Sequence, residues 1–496
     1  VRFQSIFNTD SHNLRMTSKQ PLACLVLAAG KGTRMRSMKS KVLHEIAGAP
    51  LVAYPIKAAQ ELGAAPIVAI LGHQITEVTK ALETRFGTGT IAVVEQKDQK
   101  GTGDAVRLGL APLSGFSGLV LILYGDVPLL RSQTLKEMVD AAQASGGLVM
   151  LTAKVPDPAG YGRIVRDPSG KVLCIVEDRD TTAEQKQLNE VNAGIYVAPA
   201  SFLLEATSKL SPQNAQGELY LTDIVPQAAA SIGVGTVNVS AEEMSGINDR
   251  AQLVQAEAVM HARINEHWLT HATIRSSHTV CTDADVVIEP DVEIHASVAL
   301  RGKTKVGAGA RIGIGCVLTD TIVGPGCEIL PYTVSAQTTI GANCKIGPFA
   351  HLRPESELSA DVHVGNFVET KKTKIGRGSK ANHLSYLGDT IIGERVNVGA
   401  GTITCNYNGY QKQQTIIEDG AFIGSDSQLV APVRVGKNAI VAAGATITQD
   451  VPAGALAITR VAQTHLEGYF NRLAARYADH AKTAAEKGKP RKPDTE

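Results

Sequence analysis

The sequence predicts a doubly wound α/β domain joined to a parallel β-helix of hexapeptide repeats, and three observations carry that expectation. From Pro21 to about Gly246, apolar strand-like runs alternate with helical patterns, the rhythm of an α/β sheet. Between Asp249 and Trp268 a polar, Ala-rich stretch free of Gly and Pro spaces its apolar residues three or four apart, the period of one helix. Beyond Ala272, apolar residues recur every six positions, often with Gly directly after them.

Taken in order, Val1 to Arg15 mix charge, amides and Phe ahead of Met16 and read as an upstream extension or a disordered arm. The first apolar runs are Leu22 to Ala28, Leu51 to Leu62, Pro66 to Leu71 and Gly118 to Tyr124. In the repeat, Ile340, Ile346, Leu352, Leu358 and Val364 keep the six-residue step without a slip, and Gly341, Gly347 and Gly365 follow three of them. Period six fits neither a helix nor a half-buried strand. It fits a chain that turns a corner after each short strand, with every aliphatic pointing into a prism-shaped core and each small residue relieving crowding at the turn. The repeat runs to about Thr459, His465 to Lys487 reads as a helical tail, and the basic end from Lys487 to Glu496 is expected to be disordered. The expected division is an extension at 1–19, an α/β domain at 20–248, a connecting helix at 249–271, a β-helix at 272–460 and a tail at 461–496.

Composition narrows the function. At 496 residues the chain exceeds one ordinary core. Its 49 Lys and Arg nearly cancel its 48 Asp and Glu, so no global field draws nucleic acid or an anionic membrane, and anionic substrates must meet a local site. The seven cysteines are scattered without a C-x-x-C pair, which reads as reduced thiols. No run is long enough for a signal peptide or a membrane helix, so the expected location is the cytoplasm, with small-molecule partners and neither nucleic acid nor membrane.

The first strand runs into Leu27-Ala28-Ala29-Gly30-Lys31-Gly32-Thr33-Arg34-Met35. Such Gly-rich turns cradle phosphates because backbone N–H groups approach them closely. The P-loop pattern is absent and the third Gly of a dinucleotide fingerprint is missing, so the glycines alone are equally a tight turn. Arg34 and Lys41 add the two cations that a triphosphate needs. Asp126 follows an apolar strand, where it is either a ligand or a helix cap, and a lone Lys41 is equally a solvated lysine.

LAAGKGTRM followed by SKVLHEIAG resembles the pyrophosphorylase family of sugar nucleotidyltransferases. Gln96, Gly101-Thr102, Tyr124-Gly125-Asp126, Gly160-Tyr161-Gly162, Glu177, Asn192 and Asn248 extend the resemblance to the bifunctional family that forms UDP-N-acetylglucosamine. The resemblance implies a Rossmann-like domain in which Leu27, Ala28, Ala29 and Gly30 hold UTP beside Tyr124 and Gly125. It further implies that Gln96, Gly101 and Thr102 read uracil, that Gly162, Glu177 and Asn192 bind the amino sugar, and that Asp126 and Asn248 share a Mg²⁺. Lys41 and Arg34 would then stabilise charge as N-acetylglucosamine 1-phosphate displaces pyrophosphate from UTP.

In the repeat, Leu352-Arg353-Pro354, Asn366 to Lys372, Asn382 to Tyr386 and Thr404 to Tyr407 interrupt the hexads with cations, amides, a histidine and tyrosines. A regular coil has no need of these. A lone His383 is nevertheless equally an edge residue bonded to backbone, and His351, His363 and His383 leave a metal as another reading. The segments resemble the acetyltransferase motifs of the same bifunctional family, which implies a left-handed β-helix and a side-by-side homotrimer. By that resemblance Arg353 and Lys371 bind the phosphate of glucosamine 1-phosphate, Tyr386 and Asn397 contact its sugar, and His383 is the general base. Ala400, Asn406, Tyr407, Ser425, Ala443 and Arg460 would line the acetyl-CoA channel, with Ser425 a candidate oxyanion donor. The implied role is supply of the precursor of peptidoglycan and lipopolysaccharide. The rival readings are a single-function sugar nucleotidyltransferase whose β-helix only oligomerises, and a non-enzymatic assembly subunit.

Overall fold

The computed structural model describes residues 20–486, so the expectations for the first nineteen and the last ten residues lie outside the described part. The chain divides into two compact units after Phe349.

The first unit is built on a mixed sheet. Its strand order is Val234–Asn238, Leu148–Lys154, Glu190–Pro199, Leu119–Tyr124, Leu22–Ala28, Ile67–Leu71 and Ala92–Glu95. All seven residues of Leu22–Ala28 are buried because alternate side chains enter two cores, Cys24, Val26 and Ala28 on one face and Ala23, Leu25 and Leu27 on the other. That is why the run is apolar throughout instead of alternating. The expected Leu51 to Leu62 run holds the helix Ala53–Glu61, while Ile67–Leu71 and Leu119–Tyr124 pair in parallel with the two edges of Leu22–Ala28. The chain thus leaves its first strand toward one side and returns on the other, which opens a crevice at the carboxyl ends of Leu22–Ala28 and Leu119–Tyr124. One strand departs from a doubly wound parallel sheet: Glu190–Pro199 runs antiparallel to both of its neighbours in the main order.

The helix Arg250–Trp268 begins on Asp249, whose carboxylate accepts the Gln252 N–H at 2.9 Å as an N-cap. Buried Asn265 donates to the carbonyls of Ser277 and Val280 and accepts the Thr282 hydroxyl at 2.7 Å, fastening this helix to the first coil of the solenoid. From there, Thr273–Ile274, Glu293–Ile294, Arg311–Ile312, Glu328–Ile329 and Lys345–Ile346 stack in parallel. Each coil contributes a short strand in which one residue is buried and its neighbour faces out.

The second unit continues the same construction. His363–Asn366, Lys380–His383, Asn397–Val398, Phe422–Ile423, Ile440–Val441 and Leu456–Ala457 pair in parallel, one coil to the next. The step from Asn397 to Phe422 is the longest, because a loop leaves the coil at Asn406 and returns where the Gln413 N–H donates to the Asn406 carbonyl at 2.8 Å. The helix Tyr469–Glu486 ends the described chain. Among the described residues no helix is long and apolar enough to cross a membrane.

Candidate active sites

The crevice of the first unit contains a cavity of about 330 Å³. Of the expected residues, Leu27, Ala28, Ala29, Gly30, Lys41, Gln96, Gly101, Thr102, Tyr124 and Asp126 line it. The Lys41 ammonium meets the Asp126 carboxylate and donates to the Asn248 side-chain oxygen at 3.1 Å, so residues far apart in sequence converge on one point. Gly125 stands against the Ala28 methyl, where a Cβ would lie 2.9 Å from it. Arg34 is exposed on the short turn Thr33–Met35, outside the cavity lining, with no ion pair among the described residues.

Gly162, Glu177 and Asn192 form an adjoining group. The Asn192 N–H donates to the Gly162 carbonyl at 2.9 Å, and a Cβ on Gly162 would stand 3.5 Å from a Glu177 oxygen. Glu177 accepts the Thr222 hydroxyl at 3.0 Å. Burial pushes its carboxyl above the ordinary range, the Thr222 hydroxyl opposes that, and Asp180, Asp223 and Asp178 reinforce it. Tyr124 connects the two groups. Its phenol is pushed up by burial and feels the charges of both Glu177 and Asp126.

Three contributors escaped sequence reasoning. Gln99 donates to the Ala29 carbonyl at 2.6 Å and pins the Gly-rich turn, Glu218 lines the cavity, and Asp104 holds Gln96. Each sits in a turn or first helical turn, where an amide or carboxylate has the look of a solvated residue or a cap.

In the second unit the expected residues lie on successive coils. Asn366 is in register with His383, Glu369 with Tyr386, and Lys371 with Gly388. His383 is exposed, and its Nδ1 meets the Asn366 side-chain oxygen at 2.9 Å. Arg353 donates to Glu369 at 2.7 Å. The Lys371 ammonium is held below the usual lysine range by Lys412 and then by Arg353, with Asp389 opposing. Lys412 comes from the loop that breaks the coil, so no hexad marks it. Asn406 donates to Asp389 at 2.5 Å and reaches the Tyr386 hydroxyl at 3.5 Å. Gly388 makes room for that meeting, since a Cβ there would lie 2.5 Å from the Tyr386 oxygen and 2.7 Å from the Asn406 nitrogen.

The remaining residues follow one corner. A Cβ on Gly399, next to Ala400, would stand 2.5 Å from the Ser425 nitrogen, one on Gly424 would stand 2.4 Å from the Ala443 nitrogen, and Gly444 lies against Arg460. Tyr407 is exposed and donates to the Gly409 carbonyl at 2.6 Å within the loop. Asn397 is half-buried, in register with Lys380 and Phe422. Among the described residues no group of three or more His, Cys, Asp or Glu side chains is placed to hold a metal ion.

Comparison with known proteins separates the same two regions. Residues 24–180 match the MobA-like NTP transferase domain, and residues 414–449 match the bacterial transferase hexapeptide family of six repeats. The bifunctional protein GlmU of Sorangium cellulosum is 52% identical over 472 residues, covering 94% of this chain and 99% of that protein. The chain belongs to the GlmU family. GlmU proteins of an Anaeromyxobacter species and of Pelobacter propionicus are 48% and 46% identical over 92% and 91% of the chain. As a GlmU-family member it is a bifunctional enzyme, a UDP-N-acetylglucosamine diphosphorylase and glucosamine-1-phosphate N-acetyltransferase, and its solenoid is a left-handed β-helix. The full-length match runs through both regions, so the readings of a single-function nucleotidyltransferase and of a non-enzymatic subunit are not favoured.

Proposed function

We propose that the cavity at the strand ends is the uridylyltransferase site and that the cationic coils around His383 are the N-acetyltransferase site. The convergence of Lys41, Asp126 and Asn248 on one point carries the first assignment. Leu27 to Gly30 hold the triphosphate through backbone N–H groups, Gln96, Gly101 and Thr102 read uracil, and Gly162, Glu177 and Asn192 take the amino sugar. A phosphate oxygen of N-acetylglucosamine 1-phosphate attacks the α-phosphorus of UTP, the bond to the bridging oxygen breaks, and pyrophosphate leaves with the electron pair. Lys41 compensates the charge that develops, with Arg34 able to reach in from its exposed turn.

The Asp126 and Asn248 oxygens fit a metal of the Mg²⁺ class, because a cation, the Lys41 ammonium, already rests against both, and an oxygen-only pair leaves most positions for phosphate and water. When bound, Mg²⁺ neutralises and aligns phosphate oxygens.

In the second unit His383 Nδ1 lies 2.9 Å from the Asn366 side-chain oxygen, a contact that supports the tautomer with its proton on Nδ1 and Nε2 free to act as the base. The amine of glucosamine 1-phosphate attacks the acetyl carbonyl of acetyl-CoA, its proton passes to Nε2, the carbon–sulfur bond breaks with its electron pair on sulfur, and the departing thiolate takes the proton back from Nε2 to leave as CoA thiol. Arg353 and Lys371, joined by Lys412, hold the sugar phosphate, while Tyr386 and Asn397 face the sugar. Ala400, Asn406, Tyr407, Ser425, Ala443 and Arg460 form the acetyl-CoA wall, and Ser425 is the candidate oxyanion donor. The functional division is 20–248 for uridylyl transfer, 249–271 as connector, 272–460 for acetyl transfer and 461–496 as tail. The working form is a homotrimer in the cytoplasm, where UTP and acetyl-CoA are available.

A paired assay tests the assignment. In His383→Ala, thiol release from acetyl-CoA with glucosamine 1-phosphate is expected to vanish, while pyrophosphate release from UTP with N-acetylglucosamine 1-phosphate and Mg²⁺ continues. Thiol release at the wild-type rate would remove His383 from the reaction.

A further inference from the structure

A role for Asp104 rests on the proposed function, in which Gln96 reads the base. Gln96 is only 4% exposed and lies in the cavity wall. Its Nε2 donates to the Gly101 carbonyl at 3.0 Å and to Asp104 Oδ2 at 3.0 Å. A side-chain amide has two hydrogens, and both are committed. Among the described residues nothing donates to Gln96 Oε1.

Asp104 stands in the first turn of the helix Thr102–Leu110 and is equally buried. Its second oxygen accepts from the Arg107 guanidinium at 2.6 Å, a charge-assisted bond. An ionised carboxylate accepts only, so it tolerates the amide nitrogen of Gln96 against it and rejects the amide oxygen. The Gly101 carbonyl acts in the same sense. Its residue has φ of 107°, and a Cβ there would lie 2.6 Å from the Leu219 carbonyl oxygen, so only glycine turns the chain this way.

We infer that Asp104 is a positioning residue for base selection: by fixing the Gln96 amide it presents Oε1, an acceptor, to the nucleotide. Uracil offers a donor, N3–H, at the Watson–Crick edge. Cytosine offers a bare N3 lone pair there, which meets Oε1 with repulsion and leaves a polar pair unsatisfied. The buried carboxylate, which touches no substrate, thereby selects UTP over CTP.

The experiment measures kcat/KM for pyrophosphate release from UTP and from CTP, with N-acetylglucosamine 1-phosphate, in the full chain. In Asp104→Asn the Arg107 guanidinium keeps the amide oxygen and turns the new NH₂ toward Gln96, which favours the flipped glutamine with its donor outward. The UTP-to-CTP ratio is expected to fall by at least about ten-fold, the scale of one buried polar group left unpaired. Asp104→Leu, which removes the buried charge without adding a donor, is expected to lower the ratio less, because the Gly101 carbonyl still holds the NH₂. Thermal melts confirm that both variants fold. UTP and CTP constants that fall in parallel would make Asp104 merely structural and overturn the inference. Gln96→Ala separates the two levels: if it leaves the wild-type ratio intact, the base reading itself fails, whereas a lost ratio there beside an intact one in both Asp104 variants sinks only the role of Asp104.

Discussion

Lys371 and Lys412 show how a charge cluster signals its purpose. Two ammonium groups held together with the Arg353 guanidinium repel one another, which is why Lys371 gives up its proton below the usual lysine range, chiefly because of Lys412. A bound phosphate reverses that penalty by restoring the charged form, so sugar-phosphate binding is linked to proton uptake at alkaline pH. The KM for glucosamine 1-phosphate in thiol release is therefore expected to rise as pH climbs toward the depressed pKa of Lys371. In Lys412→Ala the rise should begin at higher pH, although KM near neutrality is larger because one cation is gone. An identical pH profile in the two proteins would detach Lys371 from the phosphate. At this scale the sequence singles out a candidate where a residue stands in a contiguous motif, as with Asp126, His383 and Tyr386. It was silent for Lys412, Gln99 and Asp104, whose significance comes from what the fold carries to them across a loop or a turn.

The solenoid's hexads were legible because each coil repeats one physical demand, an aliphatic residue inward and little bulk beside it. The glycines that follow the buried aliphatics relieve crowding, as expected. The corners with left-handed backbone are shared between other glycines, such as Gly309, Gly326 and Gly378, and non-glycine residues, among them Asp291, Asn343, Asp361 and Asn438 and even Tyr332, Phe349, Phe367 and Leu384. Gly365 faces the backbone of the next coil, where a Cβ would fall 1.8 Å from the Asn382 carbonyl oxygen. Gly365→Ala must push apart the strands His363–Asn366 and Lys380–His383, the second of which ends in His383. Calorimetry is expected to show a loss of about 1–3 kcal/mol, the usual range for overpacking, and thiol release should drop more than pyrophosphate release. An unchanged melting temperature would mean that the coils yield freely. The antiparallel strand Glu190–Pro199 was not legible, since its direction is set by how the chain re-enters the sheet between Leu148–Lys154 and Leu119–Tyr124, and nothing in its own residues records that.

Over the whole molecule, the alternation of strand and helix and then the six-residue period were enough to separate two architectures, because each depends on a periodicity that survives along hundreds of residues. Assembly leaves a fainter trace. Sedimentation or light scattering of the purified enzyme is expected to give three times the mass of one chain, and a monomer retaining full thiol release would refute the trimer. The contact of Lys41 with Asp126 and Asn248 has a consequence for how the enzyme waits between turnovers. At rest the carboxylate is already compensated from within the chain, so the fold does not lean on a divalent ion that is scarce at times and contested by free nucleotides. A chelator should abolish pyrophosphate release yet leave the melting temperature of the substrate-free protein where it was. Starved of its divalent metal, the protein would idle intact, ready to resume work without refolding once the ion returns.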